Sequence, residues 1–271
     1  MIRRPPRSTL DRSSAASDVY KRQHHSAGSF PADPMHQFEI SRYFELSIGG
    51  LDISFTNSAL FMVISVILIS FFSIFFVRKQ ALVPSRMQSL VELSYEFVSN
   101  MVRQNVGQEG KKYFPFIFTI FMFVLFLNML GMMPYSFTVT SHIAVTFALA
   151  FLIFLLVTIV GFVKHGFGFF GYFAPKGVPV FMLPLLVVIE VISYFTRPIS
   201  LSVRLFANMM AGHTMLKVFS GFVLSLGFVG GWLPLGVMVA FTGLEILIAF
   251  LQAYVFTILT CIYLNDSLHM H

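Results

Sequence analysis

The chain has 271 residues, of which 56% are hydrophobic, 16% aromatic and only 11% charged, whereas soluble domains are about 45–50% apolar and about 25% charged. Its mean hydropathy is +0.80. These values exclude a soluble globular protein and indicate a membrane protein.

The single cysteine, Cys261, excludes an internal disulfide. We predict no metal site and no cofactor, because the chain has no Cys/His cluster of the structural-zinc type. Basic and acidic residues are nearly balanced after residue 34, which does not indicate nucleic-acid binding.

The first 34 residues differ from the rest of the chain. They are rich in Arg and Ser, contain no apolar run and give way abruptly to the segment that begins at Met35. Three interpretations stay open: a mitochondrial targeting segment, a disordered tail, or translated sequence from outside the true reading frame, with Met35 as the start. Asp11 and Asp18 weaken an amphipathic basic helix and favour the last. We predict that residues 1–34 are extraneous, targeting or disordered, and that 35–271 form a single membrane domain.

Long runs without charge predict the membrane spans. Residues 55–77 predict a first transmembrane helix, ended by Arg78 and Lys79, since ~20 helical residues match the ~30 Å hydrocarbon thickness. The run 113–163 is too long for one span and is interrupted at Gly131-Met132-Met133-Pro134. It therefore predicts a two-helix membrane hairpin, with helices at about 113–131 and 142–163.

Residues 84–106 predict an amphipathic helix on the membrane surface. Leu90, Leu93, Phe97 and Met101 recur at helical spacing, and charged residues lie between them. The loop from Arg78 to Lys112 holds six basic and three acidic residues. Positive loops are retained on the cytoplasmic or matrix side, so the 132–141 loop should face the opposite side.

The segment 178–266 carries ionisable residues within apolar sequence, where each is expensive unless it meets a partner or water. Gly227, Gly230 and Gly231, followed by Pro234, predict a sharp turn between two antiparallel helices. His213 and Glu245 are then equidistant from position 229. Two further pairs are equidistant from position 228, namely Arg204 with Gln252 and Glu190 with Asp266. The arithmetic predicts that each pair lies side by side.

The length of this hairpin adds a constraint. From Glu190 to position 229 a helix would extend roughly 58 Å, almost twice the hydrocarbon thickness. Either the first arm is broken near Arg197-Pro198, or both arms are steeply tilted. The alignment of polar residues favours an unbroken, tilted hairpin, because a loop would destroy the register.

The chemistry of these residues suggests two half-pathways for protons. Histidine and carboxylates relay protons near neutral pH, whereas arginine keeps its proton. We expect His213 with Glu245 to serve one surface, Glu190 with Asp266 to serve the other, and Arg204 to separate them. Asn208 and Gln252 are supporting polar residues, either beside the path or as hydrogen bonds between helices.

The run FTRPISLSVRLFANMMAGH at 195–213 closely resembles the signature of the subunit a family of F-type rotary ATP synthases. Four shorter runs also resemble that family: QFEI at 37–40, LVELSYEF at 90–97, NMLGMMP at 128–134 and YLND at 263–266. The resemblance implies an all-α polytopic fold. It also implies that Arg204 is the essential arginine, and that His213 with Glu245 has the mitochondrial arrangement.

The resemblance further implies a proton-translocating stator subunit that is not catalytic alone. Protons would be taken up through His213 and Glu245, passed to a carboxylate on the rotor ring of subunit c, and released through Glu190 and Asp266. The implied partners are that ring, the peripheral stalk, other membrane-sector subunits and the lipid bilayer, and the implied location is the mitochondrial inner membrane. The alternatives are a secondary transporter, which should show an internal repeat, and a non-translocating helical subunit of a respiratory complex.

Overall fold

The computed structural model describes residue 38 and residues 42–44, 47–48, 51–52, 54–77, 85–133, 136–173 and 181–269. Within these ranges lie six α-helices: α1 (Asn57–Val77), α2 (Arg86–Asn105), α3 (Phe114–Gly131), α4 (Ile143–His165), α5 (Leu183–Gly230) and α6 (Trp232–Leu268). All except α2 are long and apolar enough to cross a membrane. The prediction of an all-α polytopic membrane protein is confirmed. The separate segment predicted at 1–34 lies outside the described residues.

A short β structure before α1 was not predicted. Strand β1 (Arg42–Phe44) pairs antiparallel with β4 (Phe55–Thr56), and β2 (Ser47–Ile48) pairs with β3 (Leu51–Asp52). Strands this short carry no alternating pattern by which a sequence could reveal them. They lead directly into α1, where the Thr56 hydroxyl accepts a hydrogen bond from the Ala59 N–H at 3.3 Å and caps the helix.

Helix α2 is amphipathic as predicted, but the face that it buries is partly different. Val91, Val98, Met101 and Val102 are buried, while Leu90 and Leu93 are 51% and 61% exposed. Phe97 lies at the border, with its ring against those of Phe121, Phe250 and Tyr254. The sequence has two adjacent apolar stripes, and periodicity alone did not reveal that the valine stripe packs against the other helices.

Helix α6 is central to the bundle, because it packs against α2, α3, α4 and α5. Ala249 and Ala253 on α6 are fully buried, and such small side chains let neighbouring helices approach closely. The core that surrounds α6 includes Ile117, Phe121 and Val124 from α3, Ile153 and Val157 from α4, and Phe256 and Leu264 from α6 itself. Polar residues carried by α6 are therefore held on a well-packed helix.

The α5–α6 hairpin has the predicted turn and no break at Pro198. Gly227, with φ of +66°, is the one residue inside α5 whose backbone is not helical, and glycine adopts this left-handed conformation without strain. The span Leu183–Gly227 contains 45 residues, so it extends roughly 67 Å. That length exceeds twice the ~30 Å of hydrocarbon, so α5 fits a bilayer only at a steep tilt.

Candidate functional site

The strongest polar contact in the hairpin joins His213 on α5 to Glu245 on α6. His213 Nδ1 lies 2.5 Å from Glu245 Oε1, and the two side chains are 12% and 6% exposed. His213 Nε2 lies 2.9 Å from the carbonyl oxygen of Gly131 at the end of α3. Because a carbonyl only accepts, Nε2 carries a proton, and Nδ1 is left to exchange one with the carboxylate. The predicted side-by-side placement of His213 and Glu245 is confirmed.

Gly212 makes this contact possible. A Cβ atom at position 212 would lie 2.7 Å from Glu245 Oε1, closer than the van der Waals contact of carbon and oxygen. Any larger residue would therefore push the carboxylate away from its place beside His213. The sequence predicted turn glycines in this hairpin but not this one, because its role depends on a residue of the other arm.

A cavity of about 800 Å³ leads to the pair. It is lined by His213, Lys217 and Glu245 together with Met133 and Ser136 of the loop between α3 and α4. Helix α3 begins just after Lys111 and Lys112, on the side predicted to retain positive charge. Because α3 crosses the membrane, the cavity lies towards the opposite side.

A second cavity, of about 200 Å³, lies on the other flank of the pair. Its lining includes Asn208, Ala211, Gly212, Met215 and Glu245. Glu245 therefore borders both cavities. Its Oε2 atom is buried and makes no hydrogen bond with any described residue, so that atom is available to accept a proton from either side.

Halfway along the hairpin, Asn208 donates a hydrogen bond to Gln252 Oε1 at 2.9 Å. The sequence predicted Arg204 as the neighbour of Gln252. Asn208, one helical turn after Arg204, makes the contact instead. Arg204 is exposed and makes no hydrogen bond or ion pair with any residue that the structure describes. Arg204 thus lies on an exposed side of α5, which also carries the exposed residues Ala207, Asn208 and Ala211.

At the far end of the hairpin, Asp266 contacts Arg197 and not Glu190. Asp266 Oδ2 lies 3.4 Å from Arg197 Nη2, and the Arg197 guanidinium lies 4.9 Å from the ring centre of Tyr263 and 5.4 Å from that of Tyr194. Glu190 makes no hydrogen bond or ion pair within the described ranges. The predicted contact of Glu190 with Asp266 is wrong, because an opposite charge lies within reach of Asp266 and holds it.

This end of the hairpin lies on the basic side of the bundle. His165, in the last turn of α4, has its Nε2 atom 3.3 Å from the carbonyl oxygen of Leu268, and Ser267 donates to the Val157 carbonyl at 2.9 Å. The His213–Glu245 pair therefore lies towards the loop between α3 and α4, and the Arg197–Asp266 pair towards the opposite, basic side of the bundle. The sequence did not predict that Arg197 would contact Tyr194, Tyr263 and Asp266 together. The one feature that could have indicated it is that Arg197 is the basic residue of α5 nearest in depth to Asp266.

Comparison with known proteins identifies the family. Residues 59–265 match the family model described as ATP synthase A chain. The chain is 65% identical over 240 residues to ATP synthase subunit a of Pelagibacter ubique, an alignment that covers 88% of this chain and 98% of that protein. The chain belongs to the ATP synthase subunit a family.

Two further members of the family are nearly as similar. Subunit a of Parvibaculum lavamentivorans is 59% identical over 250 residues, covering 90% of this chain and 96% of that protein. Subunit a of Chelativorans sp. is 60% identical over 243 residues, covering 88% and 98% respectively. Membership assigns the chain to the membrane sector of the F-type ATP synthase, and decides against a secondary transporter or a respiratory subunit. The relatives are bacterial, so they do not support a mitochondrial location.

Proposed function

We propose that this chain is the proton-translocating stator subunit of the membrane sector, with two offset half-channels separated by Arg204. The observation that carries the proposal is the position of Glu245. It contacts His213 and borders both the large cavity that leads to one membrane side and the smaller cavity beside Asn208. A proton taken up at one cavity can therefore be passed on at the other.

Proton uptake uses the acid–histidine pair. A proton that enters the large cavity reaches His213 Nδ1 or the Glu245 carboxylate, the two groups there that can carry it. The second cavity continues from Glu245 past Ala211 and Met215 towards the outer face of α5. The receiving group is a carboxylate of the rotor ring, because a proton must leave this chain between its two half-channels.

Arg204 lies on the face where the ring would pass. The exposed alanines Ala207 and Ala211 follow it at helical spacing, and small side chains let a partner helix approach closely. The exposed guanidinium attracts a ring carboxylate that has lost its proton. Since arginine does not release its own proton, protons cannot pass directly from one half-channel to the other.

Proton release towards the basic side uses Glu190 and Asp266. Glu190 is half-buried and makes no hydrogen bond or ion pair with the described residues, so its carboxylate is available for proton transfer. Asp266 is 36% exposed at its side chain and lies beside Arg197. One elementary charge that crosses 100 mV supplies ~2.3 kcal/mol, so several protons must be coupled to each ATP made by the other subunits.

The partners of the proposal are the ring of subunit c, the peripheral stalk and the remaining membrane-sector subunits. The mitochondrial inner membrane stays a prediction that the bacterial relatives do not support. The mechanism itself needs only a membrane that holds a proton gradient.

Replacement of Glu245 tests the proposal. In the assembled complex, Glu245→Gln should lower ATP-driven proton pumping by about 100-fold or more, because the amide keeps the size of the side chain but cannot carry a proton. Glu96→Gln is the matched control, since Glu96 is an exposed residue of α2, and it should pump normally. Full-rate pumping by Glu245→Gln in membranes with normal amounts of complex would rule out this path.

A further inference from the structure

A third cavity lies on the basic side, far from the hairpin turn. It has a volume of about 360 Å³ and is formed between the turn that precedes α3, the last turns of α4 and Leu268 at the end of α6. Lys112 and Tyr113 line it from the first element, and Val160, Val163 and Lys164 from the second. None of these residues takes part in the proposed proton path.

The polar end of this cavity carries net positive charge. Lys164 forms an ion pair with Glu109, which also borders the cavity, and the hydrogen bond from Lys164 holds the pKa of Glu109 below its usual value. These two charges neutralise each other. Lys112 is exposed and has no hydrogen bond or ion pair with the described residues, and Lys111 is exposed beside it. Lys112 also interacts electrostatically with Glu109, so two lysines face one carboxylate and an anion placed here would meet a net positive charge.

The other end of the cavity is hydrocarbon-like. Val163, which lines the cavity, is 82% exposed, and Phe167, which lies outside the lining just beyond the end of α4, is 93% exposed. Both lie at the end of a helix that is long and apolar enough to cross the membrane. Tyr113 is half-buried at the same level, in keeping with the preference of tyrosine for the membrane–water interface. The cavity therefore spans the boundary between headgroups and acyl chains.

We infer that this cavity binds an anionic glycerophospholipid of the leaflet on the basic side, with its phosphate at Lys112 and an acyl chain along Val160 and Val163. Basic cavities between transmembrane segments on this side of the membrane are suited to anionic headgroups. A water-soluble phosphate compound would gain nothing from the exposed valine wall. A lipid uses both ends of the cavity.

Photolabelling of the assembled complex tests the inference. Two phospholipids with the same diazirine-bearing acyl chain, one with a phosphatidylglycerol and one with a phosphatidylcholine headgroup, are incorporated into vesicles that contain the complex. After illumination, mass spectrometry measures adducts on the peptide that holds Val160 and Val163. We expect the anionic lipid to label this peptide about fivefold more, the preference expected from one lysine at ~1 kcal/mol.

Variants locate the headgroup. Lys112→Gln should reduce anionic labelling to the zwitterionic level, Lys112→Arg should restore it, and Lys111→Gln should keep most of it, because Lys111 does not line the cavity. Equal labelling by the two lipids, or unchanged labelling in Lys112→Gln, would overturn the inference. Absence of any adduct would also overturn it, since another subunit would then cover the cavity. The readout does not depend on proton pumping, so it stands or falls separately from the proposed function.

Discussion

Two pairs of acidic and basic residues connect the arms of the α5–α6 hairpin, and the two pairs differ in chemistry. In each pair an acidic residue of α6 contacts a basic residue of α5. Glu245 Oε1 lies 2.5 Å from His213 Nδ1, and Asp266 Oδ2 lies 3.4 Å from Arg197 Nη2. The first pair opens onto a cavity of about 800 Å³. Beside Arg197, between Tyr194 and Tyr263, the free space is about 10 Å³, at or below what one water molecule needs.

The difference between the bases decides what each pair can do. An imidazole gains and loses a proton near neutral pH, so the His213–Glu245 pair can change its charge during a proton transfer. A guanidinium stays charged, so the Arg197–Asp266 pair is a fixed connection between the two arms. In the proposed function, the His213–Glu245 pair therefore exchanges protons, whereas the fixed charge of Arg197 holds the two arms together beside the proposed release group Asp266.

The largest effect should come from Arg204. Arg204→Ala removes the fixed charge that we propose lies between two half-channels, so ATP-driven pumping should be abolished and passive proton leak should increase. Because Arg204 makes no hydrogen bond or ion pair with the described residues, the complex should still assemble. Fluorescence quenching in membrane vesicles measures both pumping and leak. Arg103→Ala, at an exposed position of α2, is the control, and normal pumping by Arg204→Ala would contradict the assignment.

A smaller change should disturb the exchangeable end through its geometry alone. Gly212→Ala places a methyl group 2.7 Å from Glu245 Oε1 and so displaces the carboxylate from His213. Proton flux should fall on the order of tenfold, since misplacement of a reacting group by ~1 Å is costly. Gly236→Ala adds a methyl group where nothing lies within 4 Å and should pump normally. Equal rates in the two variants would mean that the close approach of His213 and Glu245 does not limit flux.

Much of this comparison could be predicted from the sequence, and the reasons are physical. The helices follow from long apolar runs, and the turn follows from clustered glycines, both of which are local signals. Because His213 lies close to the turn, a residue at the same distance from the turn on the other arm, Glu245, could be predicted as its neighbour. Further from the turn the register shifts, so that Asn208 replaces Arg204 beside Gln252, and Arg197 replaces Glu190 beside Asp266.

Other features could not be read from one sequence, because they depend on how the helices pack. The burial of the valine stripe of α2, the sandwich of Arg197 between two tyrosine rings and the need for Gly212 are set by residues distant in the chain. The roles of Arg204, Glu190 and Asp266 in proton transfer stay predictions until flux is measured.

The anchoring end should respond in stability more than in flux. Arg197→Gln leaves Asp266 without its cation and removes the contacts with both tyrosine rings, which should lower stability by about 1–2 kcal/mol. Glu190→Gln should leave stability unchanged and reduce proton flux, because Glu190 is a proposed release group. The half-inactivation temperature and the pumping rate of each assembled variant separate the two effects. If Arg197→Gln keeps wild-type heat resistance, the Arg197–Asp266 ion pair does not stabilise the hairpin.

The smallest effect should come from the ion pair of Glu109, in the turn before α3 and outside the candidate membrane spans, with Lys164 in the last turn of α4. The hydrogen bond from Lys164 lowers the pKa of Glu109 from its usual 4.5. A carboxyl whose pKa is lower in the folded state stabilises the fold above its unfolded pKa, and this contribution disappears as pH falls through the folded pKa. Glu109→Gln should therefore be slightly less heat-resistant than the wild type at pH 7, by a small margin because the pair is exposed. The heat resistance of the two proteins should become equal once the pH is below the folded pKa of Glu109.

Glu96→Gln is the control, because it alters an exposed acidic residue of α2, and it should match the wild type at both pH values. If Glu109→Gln still differs from the wild type in acid, the difference does not come from the charge of Glu109.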